Sequence, residues 1–173
     1  MSYFIASQIL VGLAALFDIA SFQFKSRKTL LSLLCISALL IGSHFVLLEE
    51  WTAACLLAVG AARYFTGIFT ENRGVRWGFY IVTLLGTLFT FSGITSILSC
   101  IGSLLHTSAS FNRNDKFMRV VMVIGTVVWV VHDVIVGSPV AVLLDVLFII
   151  SSYIGYYRIY GNKAVFFDQY RKA

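Results

Sequence analysis

The sequence predicts an all-α membrane protein whose seven transmembrane helices are arranged 3+1+3, as two parallel three-helix repeats joined by a linking helix. Three observations carry that expectation. Of 173 residues, 59% are hydrophobic and 12% are charged, with mean hydropathy +0.89, whereas soluble domains run at about 45–50% apolar and about 25% charged. The apolar residues form runs long enough to cross a bilayer, parted by short charged clusters. Sliding the chain by 88 residues lays the first three runs on the last three without a gap. Self-similarity of that kind marks internal repeats in transporters.

The elements follow in order. Residues 3–24 open the chain. "MSYFIASQIL" lacks the basic segment and cleavage site of a removable leader, so this run is expected to stay as a span. "KSRK" ends it, and 29–48 forms the second span, closed by "EEW". The third, 51–70, runs into "ENRGVR". The linking span, 77–92, is short and breaks at Gly93. Spans 94–111 and 117–136 are parted by "NRNDK", and 139–160 follows the turn "GSP". There Ser138 is placed to cap the last helix, with Pro139 at its first position. Residues 161–173 form a basic tail. The repeats thus cover 3–70 and 94–160 of a single membrane domain.

Charge fixes the expected orientation. With seven spans, Lys25, Arg27, Lys28, Arg73, Arg76, Arg113, Lys116, Arg119, Arg158, Lys163, Arg171 and Lys172 all fall on one side, and the other side carries Glu49 and Glu50. Basic loops stay cytoplasmic. The N-terminus is therefore expected in the periplasm and the C-terminus in the cytoplasm of a multi-pass inner-membrane protein. The net charge of +5 is explained by this segregation and not by nucleic acid. Trp51, Trp77 and the tyrosines at 153, 156, 157 and 160 suit interfacial belts.

At the 88-residue offset His44 falls on His132, Lys28 on Lys116 and Gly67 on Gly155. "GSHFVLLEEWTAACLLAVGAARYFTGIF" and "VVWVVHDVIVGSPVAVLLDVLFIISSYIGYYRIY" resemble the two signature regions of the YgjV-type bacterial inner-membrane proteins. Those regions carry His-Phe near the end of the second span, Arg in the third and His near the end of the sixth. The resemblance covers most of the chain and implies location and fold more than substrate. The layout is similar to that of SWEET, PQ-loop and PnuC-like transporters. Proline-hinged rocking is not carried over, because Pro139 is the only proline and starts a helix.

Ionisable groups at membrane depth are costly and seldom face lipid. An inner layer holds Asp18, Arg63 and His106, about 9–12 Å from the cytoplasmic ends of their spans at 1.5 Å per residue. Asp18 and Arg63 are the obvious partners for an ion pair. Ser96, Ser99, Ser103, His106 and Ser110 share one face of the fifth span. An outer layer holds His44, His132, Asp133 and Asp145. His132 and Asp133 are expected on different faces of their helix, and Asp145 is a candidate to hold one histidine's tautomer. Gates or braces, a proton-linked site and a solute path stay open for these residues. Trp129 or Tyr64 offers a stacking surface for a flat solute, with core packing as the alternative.

No cofactor or metal is expected. Each histidine lies on a different span without a second ligand at metal spacing. Cys35, Cys55 and Cys100 sit in apolar runs as packing residues. No zincin motif, nucleophile elbow or nucleotide loop is present, so an enzyme is not expected. The expected function is a small-solute transporter or facilitator of the bacterial inner membrane, seated in the lipid bilayer, with a site for a small polar solute, open to proton linkage, between the two repeats. The alternative is a non-transporting scaffold or helper subunit, and a homo-oligomer stays open.

Overall fold

Backbone in hydrocarbon must satisfy its own hydrogen bonds, which leaves helices as the solution for runs of this composition. The computed structural model describes residues 3–161, with side chains from residue 5. Among them are seven helices: α1 (Tyr3–Ser21), α2 (Arg27–Leu47), α3 (Trp51–Phe69), α4 (Arg73–Phe89), α5 (Ile94–Ser110), α6 (Asp115–Val136) and α7 (Pro139–Tyr160). The basic tail lies outside the described residues from 162 onward. Helices α2, α3, α6 and α7 are long and apolar enough to cross a membrane. Helices α4 and α5 have 17 residues each, or about 25 Å at 1.5 Å per residue.

The ends of the helices have local causes. Helix α1 stops at Ser21, short of residue 24, and the Ser21 hydroxyl donates to the Asp18 carbonyl at 2.7 Å. Helix α4 begins at Arg73 and not at 77, because the Asn72 side chain accepts from the Gly74 N–H at 2.7 Å. Its arginines lie on the first turn, with stems long enough to reach water. Ser26 and Asn114 cap α2 and α6 in the same way. Gly93 at the α4–α5 break has φ of 115°, and Gly137 closes α6 with φ of 73°, both in the region glycine enters freely. Ser138 precedes α7 but makes no capping bond. Its hydroxyl is engaged by His44 instead, at 3.1 Å.

Six helices form a closed ring of packed neighbours: α1 on α2, α2 on α3, α3 on α5, α5 on α6, α6 on α7, and α7 back on α1. Helix α4 lies outside the ring, against α3 and α5. The outer faces are apolar, with Ile9, Leu13 and Leu16 on α1, Ile81, Leu85 and Leu88 on α4, and Ile124, Val127 and Val131 on α6 exposed. Trp51 and Trp77 are exposed as well, as side chains of an interfacial belt would be. Inside, small and hydroxyl residues dominate the α5 face, with Ser96, Ser99, Gly102, Ser103 and Thr107 buried. Lipid tails are as apolar as leucine, so close packing of small residues and interhelical hydrogen bonds hold such bundles together.

Two side-chain clamps organise the arginine-rich end. Arg119 is 1% exposed. Its Nε donates to Asp115 at 2.9 Å, and Nη1 and Nη2 donate to the Phe22 and Phe24 carbonyls at 3.1 and 2.9 Å. These carbonyls follow the C-terminus of α1, where a cation is favoured. Arg27 donates to the Ser110 carbonyl at the end of α5 and pairs with Glu71, which also meets Arg113 at 3.3 Å. Arg158 donates to the Gln23 carbonyl at 2.6 Å. Arginines from four parts of the chain therefore meet at one end of the bundle.

Candidate functional site: a polar cavity inside the helix ring

A cavity of about 70 Å³ lies inside the ring, room for more than one water. Every ring helix contributes to it: Asp18 from α1, Ser37 and Phe45 from α2, Tyr64 from α3, His106 from α5, Trp129 and Asp133 from α6, and Asp145 and Phe148 from α7. Thr126 and the aliphatic Leu34, Ala38, Ile41 and Leu57 complete the wall. No Lys or Arg is among the lining residues.

The α5–α6 pair shows how the wall is built. Gly125 on α6 faces the His106 ring where a Cβ would collide with it, and Gly102 on α5 leaves the matching space for the Trp129 indole. Each large side chain is thus seated on a glycine of the facing helix. His106 Nε2 lies 3.2 Å from the Met122 carbonyl, which can only accept, so Nε2 carries the proton. Nδ1 then accepts from the Tyr64 hydroxyl at 3.2 Å. These two bonds tie α5 to α3 and α6 across the cavity.

Arg63 does not pair with Asp18. No ion pair within 4.0 Å joins them. Arg63 Nη1 donates to the Ser103 carbonyl at 3.0 Å, to the Ser103 hydroxyl at 3.4 Å and to Thr107 at 3.0 Å. The guanidinium lies 4.6 Å from the Tyr64 ring centroid and packs over Gly60, where a Cβ would come 3.3 Å from Nη2. The hydroxyl stripe of α5 was legible in the sequence; that its Ser103 holds the arginine was not. Ser103 is accordingly buried beneath Arg63 and outside the cavity lining.

His44 and His132 are both fully buried and flank Phe45 edge-on, at centroid distances of 4.8 and 5.3 Å. Their bonding differs. His44 Nδ1 donates to the Ser7 carbonyl at 3.0 Å, so Nε2 accepts from Ser138 at 3.1 Å. That neutral imidazole joins α1, α2 and the α6–α7 turn. His132 Nδ1 lies 2.8 Å from Asp133, and its Nε2 is buried without a partner. The expectation that these neighbours diverge is therefore corrected. Adjacent residues are about 100° apart on a helix, and the imidazole swings across that gap. Asp145, expected to hold a histidine, does not; its Oδ2 is buried without a partner.

Of the residues singled out from sequence, Asp18, His106, Trp129 and Asp145 meet at the cavity, while Arg63, Ser103, His44 and His132 lie outside its lining. Ser37 and Thr126 were missed. Asp133 had been noted in the sequence, but not as a neighbour of Asp18. The 88-residue offset holds the signal that would have found several of them. Asp18 with His106, Ala38 with Thr126, Ile41 with Trp129, Phe45 with Asp133, and Leu57 with Asp145 all line the cavity, and each pair is 88 residues apart.

The sequence pattern of the Imp-YgjV family, described as a bacterial inner membrane protein, matches residues 5–163. The chain is similar to the inner membrane protein YgjV of Escherichia coli (strain K12), at 27% identity over 143 residues covering 83% of this chain and 75% of that protein. No solved structure matches the chain.

Proposed function

The chain belongs to the Imp-YgjV family of bacterial inner membrane proteins, and on that premise we propose that it is a non-enzymatic transporter or facilitator of a small polar solute. In this reading all seven helices span the membrane, with the arginine-rich end in the cytoplasm and the N-terminus in the periplasm. Residues 3–70 and 94–160 are parallel repeats about an axis along the membrane normal, and α4 is the odd helix that returns the second to the orientation of the first. The observation that carries the proposal is the five pairs of cavity-lining residues 88 apart. A site on a pseudo-symmetry axis collects equivalent positions from both repeats, and repeat transporters place their substrate there.

The roles follow from the geometry. Asp18, His106, Trp129, Asp133 and Asp145 face the solute. Asp18, Asp133 and Asp145 also supply any proton linkage. Arg63 and Ser103 hold α3 to α5 behind the site. His44 braces the end opposite the basic clamps, and His132 orients Asp133. The experiment is a thermal-unfolding screen of the purified protein against cationic, anionic and neutral small solutes. Saturable stabilisation by one class supports the reading, and no stabilisation by any class favours a scaffold or helper subunit.

A further inference from the structure

We infer that the cavity takes a small organic cation, an ammonium group on a compact apolar or aromatic body. The inference rests on the transport reading for its setting and adds the chemical class of the solute. Three carboxyl groups, Asp18, Asp133 and Asp145, line one cavity that no Lys or Arg lines. The cation behind the wall, Arg63, is held by the Ser103 carbonyl and the Thr107 hydroxyl. Among the described residues neither Asp18 nor Asp145 has an ion pair. Carboxylates inside a bundle with no internal counter-charge call for one from outside.

A second, independent observation points to a missing partner. Asp145 Oδ2 is buried on the same cavity wall without a hydrogen-bond partner, and the Ser37 hydroxyl, 1% exposed, has no partner but the Asp18 carboxyl. Buried polar atoms are almost always bonded, and a hydroxyl oxygen can accept from an ammonium N–H. The rest of the wall suits the body of such a ligand. Phe45, Tyr64, Trp129 and Phe148 present aromatic surface, whose negative faces attract organic cations. A bare metal ion is a poorer fit, since no three His, Cys, Asp or Glu groups among the described residues converge as its ligands would. An anion would meet three carboxyls, and a neutral solute would leave them uncompensated.

The test uses the full-length protein in detergent with benzylammonium, its neutral isostere benzyl alcohol and the anion benzoate, read by thermal shift and equilibrium binding. Benzylammonium is expected to bind saturably and the other two are not. Asp145→Asn and Asp133→Asn are each expected to weaken benzylammonium about tenfold or more, as loss of a buried charge partner does. The wild-type comparison of the three probes stands even where a variant fails to fold. Binding of benzyl alcohol or benzoate as tightly as benzylammonium overturns the cation class and leaves the transport reading intact. Absence of binding by all three, together with an empty solute screen, overturns both.

Discussion

Gly155 on α7 and Phe22, just past α1, meet backbone to backbone: a Cβ at Gly155 would collide with the Phe22 carbonyl oxygen. The same contact recurs where α3 meets the end of α5. A Cβ at Gly67 would lie 3.3 Å from the Ser110 carbonyl oxygen. Gly67 and Gly155 are 88 residues apart, as are Phe22 and Ser110. Both carbonyls also accept from an arginine, Arg119 and Arg27. Gly155→Ala is expected to destabilise the protein by about 1–3 kcal/mol, the usual cost of overpacking, because backbone cannot yield as a side chain can. Gly67→Ala is expected to cost less. Detergent melting curves of the two variants rank them.

Arg119 joins the first turn of α6 to the α1–α2 turn through three donors. Arg119→Met leaves Asp115 and the Phe22 and Phe24 carbonyls short of their partner, and an expected loss of about 3–5 kcal/mol follows from breaking such a buried set. Arg119→Lys restores only part of it, since an ammonium cannot reproduce the planar fork. Equilibrium unfolding of both variants checks the order.

Arg63 and Thr107 are direct partners, so their substitutions should not add. Thr107→Val alone is expected to cost about 1 kcal/mol. In an Arg63→Met background it should cost measurably less, a double-mutant coupling of about 0.5 kcal/mol or more. Additive losses would show that the guanidinium is held elsewhere.

His44 acts through two hydrogen bonds to opposite neighbours. His44→Ala strands the Ser7 carbonyl and the Ser138 hydroxyl and is expected to cost about 1–3 kcal/mol. His44→Gln keeps a donor and an acceptor of similar reach and should melt close to wild type with its solute response unchanged. A lost solute response in a stable His44→Gln protein would place this histidine in the pathway.

The runs of apolar residues made the helices readable, because their lengths and breaks follow directly from bilayer thickness and turn chemistry. The start of α4 was not readable, since Arg73 and Arg76 look like loop residues until the Asn72 cap is seen. Arg119 was hidden for a related reason: a first-turn arginine reads the same whether it meets water or buried carbonyls. At the site, sequence depth placed Asp18 with Arg63 and Asp145 with the histidines. Helix rotation decides such pairs, and depth alone does not fix it. The polar stripe on α5 was visible, yet Ser103 in it holds Arg63, Ser96 bonds Thr52, and of its members His106 alone lines the cavity.

The proposed solute path runs through the cavity between the two halves of the ring. Ala38 lines that cavity and is buried, so Ala38→Leu fills it from one wall with no change of charge. The measurement is flux of benzylammonium, or of whichever solute the screen returns, into proteoliposomes holding wild-type or Ala38→Leu protein. Saturable wild-type flux, abolished in an Ala38→Leu protein that melts at or near the wild-type temperature, is the expected result. Equal flux in the two proteins, or wild-type flux no greater than empty liposomes, would contradict the account.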